Sequence, residues 1–340
     1  MLRTALACLL ASAALSGAPT SAQEGPQPDI AFTMERQRAD SVQLSLEYGE
    51  RGESQHSTSW KLADLRGLDP AALAAPTESS TRFRIVEEAG VVECTGLVGR
   101  GAGAGNCRFE PDEAFAEAMA RRGVGRPKRA DQLVLTLQGA SLSLLDALQR
   151  AGYPTPAVTD VVAASIHGVD EAYVTSMAAS GYRLGDLDDL VAFRIHGVDA
   201  AYARAMAAAH PSLKSAPAQQ LLAMRIHGVT PDLVQALSDA GVRGLDGDSI
   251  VSLRIHGATP RMIRELAAAG HSEMSAADLT AFAIHGVTPA FVRAMAEVGY
   301  PNLTPEQLLA LKIHGVTPEY ARSMAATGRA ADELSRAPRR

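Results

Sequence analysis

The chain has 340 residues, of which 46% are hydrophobic, enough to bury a substantial core or a long one-dimensional one. Its formal net charge of −6 argues against nucleic acid and against an anionic membrane surface as partners, since both are held by clustered Lys and Arg. Aromatic residues make up only 4% and alanine is abundant, which suits small, closely packed helices.

The first residues read as a secretory signal peptide over 1–22. Met1-Leu2-Arg3 gives a short positive start, Ala5–Ala14 an apolar stretch too short to span a bilayer, and Thr20-Ser21-Ala22 a cleavage site before Gln23. Cys8 lies too early in that stretch to mark a lipoprotein. No later run is apolar enough for a transmembrane helix, so the mature chain is expected in the periplasm or outside the cell, without membrane insertion. Residues 23–29 form a polar, Pro-containing leader expected to be disordered.

From Ile30 to Phe109 the pattern has period two. Ser41–Tyr48 alternates strictly, Gly49 and Gly52 mark a turn, and Ser59–Leu62 and Arg82–Val86 read likewise as strands. Ala63–Pro76 holds Asp, Gly and Pro breaks and reads as a loop or short helix. Val91–Cys94 and Cys107–Phe109 flank the run Gly99–Asn106, which reads as a flexible hairpin tip. That run has no Lys-Ser/Thr ending and no following helix, so it is not a phosphate loop. Once the signal is removed, Cys94 and Cys107 are the only cysteines, placed as cross-strand partners. A disulfide stabilising by ~3 kcal/mol is expected. A redox or metal pair would call for a CxxC spacing or His ligands nearby.

The rest of the chain is a tandem repeat. Ile-His-Gly recurs with its glycine at 168, 197, 228, 257, 286 and 315, a period of 29 broken once by a step of 31. Upstream, Gly139 and Glu110 keep the register without the token, giving eight units with the last truncated. Each unit reads as two helices. In the unit at Gly286, Thr288 caps the first, Pro289 opens it and Gly299 stops it; Thr304-Pro305-Glu306-Gln307 starts the second. Leu308, Leu309, Leu311 and Ile313 then face two directions, as expected for a helix packed between neighbours. The two extra residues fall at His210–Lys214, where a bend or bulged loop is expected.

The fold class is therefore α+β: a small antiparallel β-domain over 30–109, an α-helical solenoid of about eight 29-residue units over 110–328, and a disordered tail over 329–340. The six token histidines are expected to cap helix ends, with a pH response as the lesser alternative. They do not suit a metal, because ligands sit about 2 Å from the ion while equivalent atoms of stacked helices are roughly 8–10 Å apart. Two basic columns are the candidate binding residues: Arg204, Arg264, Arg293 and Arg322 on the first helix, and Arg194, Arg225, Arg254 and Lys312 just before the token. They make either a solvated face or a strip for an acidic protein partner. No catalytic motif, metal site or cofactor fingerprint is present, so a hydrolase with an unrecognised site and a nucleic-acid-binding repeat are the alternatives to a protein-interaction module.

Leu303–Ala310 (LTPEQLLA), with the following His-Gly, resembles the opening of a transcription-activator-like effector repeat. Those repeats are longer and vary the dipeptide to read bases; here it is constant, so this resemblance implies helical-repeat geometry alone. The hairpin ending Arg108-Phe109-Glu110-Pro111-Asp112 and the HGVTPE-type turns resemble an uncharacterised group of exported bacterial helical-repeat proteins. Similar repeats occur in the extracytoplasmic tails of β-lactam-sensor-type antirepressor metallopeptidases. That resemblance implies envelope sensing or protein–protein contact and supplies no catalytic residue, the peptidase zinc motif being absent.

Overall fold

A computed structural model describes residues 30–49, 54–182 and 184–326. The expected signal peptide over 1–22, the expected disordered leader over 23–29 and the expected tail over 329–340 lie outside the described residues. The chain divides into two compact units, one comprising residues up to Ile85 with Val92–Glu110, the other Val86–Val91 with residues from Pro111 onward.

The first unit is a six-stranded antiparallel sheet. Its strands are β1 (Ile30–Arg36), β2 (Ser41–Tyr48), β3 (Ser54–Lys61), β4 (Ser79–Glu87), β5 (Gly90–Gly99) and β6 (Ala102–Pro111), ordered β3-β2-β1-β6-β5-β4. Period-two alternation sends Ile30, Phe32 and Met34 of β1 and Val42, Leu44 and Leu46 of β2 to one buried face, and register pairs Phe32 with Leu46 and Met34 with Leu44. Phe32 meets Phe83 edge-on, ring centroids 5.1 Å apart. The β3–β4 connection holds the short helix α1 (Pro70–Ala74), capped by Asp69, and adds Leu65 and Leu73 to the buried set.

Cys94 and Cys107 are disulfide-bonded across β5 and β6, both buried. The glycine run is not a flexible tip. The turn is only Arg100-Gly101, both at positive φ, a two-residue connection of the kind that suits twisted strands. The remaining glycines are strand residues in the middle of the sheet. A Cβ on Gly105 would strike the Thr95 carbonyl and come within 2.7 Å of Phe32, and one on Gly96 would strike the Ala104 carbonyl. Close approach demands glycine here. Gly105→Ala should therefore destabilise the protein by about 1–3 kcal/mol, read as a lower urea midpoint, whereas Ala104→Ser on the exposed face should be near neutral.

The second unit is the repeat array. First helices are α2 (Glu113–Arg121), α4 (Leu142–Ala151), α6 (Glu171–Ala179), α8 (Ala200–Ala209), α10 (Pro231–Asp239), α12 (Pro260–Ala268), α14 (Pro289–Glu297) and α16 (Pro318–Ala326). Second helices are α3 (Arg129–Leu137), α5 (Val158–Ile166), α7 (Leu187–Ile195), α9 (Ala218–Ile226), α11 (Gly247–Ile255), α13 (Ala276–His285) and α15 (Pro305–Ile313). First helices pack on first helices and second on second, with only a thin contact between α7 and α9, making two rows. One continuous hydrophobic core runs through the array from Phe115 to Ala321. The extra residues form a 3₁₀ turn, Pro211–Leu213, pinned by buried Leu213, whose carbonyl accepts from the Tyr182 hydroxyl at 3.2 Å. No single helix among the described residues is long and apolar enough to cross a membrane.

The token's Gly and Val are explained by how each second helix ends. Gly168, Gly197, Gly228, Gly257, Gly286 and Gly315 all lie at positive φ. The next N–H then reaches back to the carbonyl five residues earlier, as Val198 does to Phe193 and Val229 to Met224, both at 2.8 Å. This is a Schellman closure, and Val198 and Val229 are fully buried, as its hydrophobic contact requires.

Candidate binding surface

The expected role of the token histidines as imidazole caps is not what the structure holds. Among the described residues no imidazole hydrogen bond forms at His167, His196, His227, His256, His285 or His314, all of which are exposed. The last-turn carbonyls are met instead by the Schellman N–H groups and by the basic residue of the following unit. Arg225 Nε donates to the His196 carbonyl at 3.4 Å, and Arg254 Nε to that of Gly228 at 3.0 Å.

That basic column does a second job. Arg194 lies 5.0 Å above the ring centroid of Tyr173, Arg225 4.8 Å above that of Tyr202, and Lys312 4.9 Å above that of Phe291. The aromatic belongs to the first helix of a unit and the cation to the second helix of the same unit. Tyr173 and Tyr202 complete the lock by donating to the carbonyls of Val198 and Val229 at 2.6 and 3.0 Å. The correspondence is partial along the chain: Met262 stands in register with Ala283 and Leu144 with Ser165, but Leu233 stands in register with Arg254 and Phe115 with Thr136. Arg194, Arg225 and Lys312 thus tie together the two helices of their own units, by contacts each worth about 0.5–2 kcal/mol, while Arg225 and Arg254 also bond the helix end before them.

The other column is spread over exposed first-helix positions. Arg264 pairs with Asp232 and Arg293 with Glu265, both at 3.4 Å and both across units. Such exposed pairs contribute about 0–1 kcal/mol. Arg204 and Arg322 are exposed, and neither forms an ion pair among the described residues. The column is brought into one row, and half of its charge is locally neutralised.

The surface that periodicity alone did not reveal is apolar. Ile166, Ile195, Ile226, Ile255, Ile284 and Ile313 are each 49–56% exposed, so Ile313 and its equivalents half face solvent, where the sequence pattern predicts packing between neighbours. They sit on the last helical turn, where the C-terminal helix end clears the core packed beneath it. Three and four residues earlier on the same helix face lie half-buried small or aliphatic side chains, such as Ala223 and Leu222 behind Ile226 or Ala310 and Leu309 behind Ile313. Half-exposed isoleucine forfeits roughly 1 kcal/mol or more of available burial each, and the fold repeats that sacrifice six times. A signal was present in the sequence: core positions of the second helix vary among Leu, Ile, Val, Met, Phe and Ala, while this one is Ile in all six token units.

A cavity of about 290 Å³ beside α2 and α4 is lined by Arg121, Arg122, Leu148 and Tyr153. Arg122 is spent there on Asp146, whose carboxyl it holds below the usual range by a hydrogen bond of 2.9 Å. Among the described residues no three His, Cys, Asp or Glu side chains converge as metal ligands. Comparison of the chain with protein-family models, with curated proteins and with solved structures found no match in any of the three.

Two outcomes follow from the cation–aromatic lock. In a double-mutant cycle, Arg225→Ala and Tyr202→Leu should couple by about 0.5–1 kcal/mol in thermal or urea unfolding. Burial, partly offset by the neighbouring Arg, pushes the Tyr173 and Tyr202 hydroxyls up from 10.0 to about 12. The folded state therefore binds these protons more tightly than the unfolded chain, so their contribution is whole below pH 10 and is lost as pH rises toward about 12. Phenolate absorbance should appear together with loss of helical circular dichroism in that window.

Proposed function

We propose that this chain is a non-enzymatic protein-interaction module, a sensor or scaffold element of the bacterial envelope, that binds through the outer face of its second-helix row. The single observation carrying this reading is the column of six half-exposed isoleucines, repeated at one position that the core does not enclose. Extended repeat surfaces are a common means of protein recognition, and contiguous exposed apolar side chains mark interaction sites. Of the basic columns, Arg204 and Arg322 form no ion pair among the described residues, Arg264 and Arg293 are paired with carboxylates, and Arg194, Arg225, Arg254 and Lys312 keep their positive charge while packed on rings or helix ends. An envelope location is supported by the signal-like sequence of residues 1–22 and by a disulfide, which persists in oxidising compartments.

The test separates surface from fold. Ile195→Ser/Ile226→Ser/Ile255→Ser should leave the circular dichroism spectrum unchanged and shift stability by no more than about 0.5 kcal/mol per site, yet abolish affinity capture of envelope proteins. Arg264→Glu/Arg293→Glu should weaken capture less. Undiminished capture by the isoleucine variant would remove the proposal.

A further inference from the structure

We infer that the apolar strip takes a second copy of this chain, the two strips lying parallel about a two-fold axis that runs along them. This rests on reading the strip as an interaction surface and names its occupant. Three observations converge on a self-complementary contact.

The first is relief. Each isoleucine knob stands beside a small residue three positions earlier: Ala163, Ala192, Ala223, Ser252, Ala281 and Ala310, all half-buried. A strip of alternating ridge and hollow fits its own rotated image, and a two-fold along the strip lays the ridge of one copy over the hollows of the other.

The second is charge. The edge at the helix C-termini carries the six exposed histidines and the basic row Arg194, Arg225, Arg254 and Lys312. The opposite edge, seven residues back on the same face, carries exposed Asp188, Asp248 and Glu306. Hydrogen bonding at the helix start holds the Glu306 carboxyl below its usual range, so it is anionic there. Rotation about an axis along the strip sets the basic edge of one copy on the acidic edge of the other. Rotation about an axis across the strip would set like on like, which costs several kcal/mol.

The third is size. Six helices at roughly 9 Å intervals span about 45 Å, and seven residues of helix add about 10 Å of width. The apolar strip is then on the order of 450 Å². With a charged margin on each side it approaches the ~800 Å² per partner of a standard specific interface.

Sedimentation velocity on the purified chain, with its disulfide intact, reads the assembly directly. A dimer is expected at micromolar concentration, with the dissociation constant raised roughly a hundredfold by Ile195→Ser/Ile226→Ser/Ile255→Ser and raised also by Asp188→Lys/Asp248→Lys. A short bis-maleimide reads the orientation. Ala310→Cys should cross-link to itself, because the axis pairs each unit with its own counterpart. Cross-linking of Ala310→Cys only with Ala163→Cys would show antiparallel strips and overturn the arrangement. A wild-type monomer would overturn the inference altogether. If that monomer still captured envelope proteins through its isoleucines, the interaction reading would stand with a different occupant.

Discussion

The helical unit depends on one constraint, that each second helix must stop at a fixed residue and turn back. A glycine at positive φ does this, and the valine after it closes the turn by entering the core. Because the stop recurs every 29 residues, helix faces stay in phase from unit to unit. The same position of every unit then meets the same position of its neighbour. Continuous packing, the cation–aromatic lock and the isoleucine column are all consequences of that phase.

The lock explains why charge in this protein is a poor guide to its partners. A guanidinium over a tyrosine ring, bonded to the preceding helix end, is a stacking device wherever its aromatic exists. Where the aromatic becomes Met262, the cation becomes Ala283. A cation laid on a ring of its own unit, or bonded to the neighbouring helix end as Arg254 is, has an internal partner, and its charge alone does not point to an outside ligand. The isoleucines have no such internal correspondent.

Much of the architecture was legible in the residues: the strands through alternation at Ser41–Tyr48, the paired helices through Thr288-Pro289 and Thr304-Pro305, the repeat through its spacing. Three features were not. Gly99–Asn106 looked flexible because composition cannot distinguish a glycine that frees the chain from one that lets two strands approach, as Gly96 and Gly105 do. The histidines looked like caps because position at a helix end does not say whether a neighbouring arginine has already taken the carbonyls. The isoleucines looked like core because an apolar residue at a periodic position satisfies the pattern whichever way it faces. Only the invariance of Ile beside variable core positions carried that information.

The two-residue insertion at Pro211–Leu213 sits in a connection, where it leaves helix phase untouched; inside a helix it would have rotated every later face by about 200°. It nevertheless interrupts the second row, since contact between α7 and α9 is the weakest step of that series. In a linear array whose cohesion is a sum of neighbouring interfaces, a soft junction divides the whole into blocks. Units up to Ile195 and units from Ala200 onward, which meet through the thin α6–α8 and α7–α9 contacts, can fray, melt or exchange amide protons as separate cooperative segments.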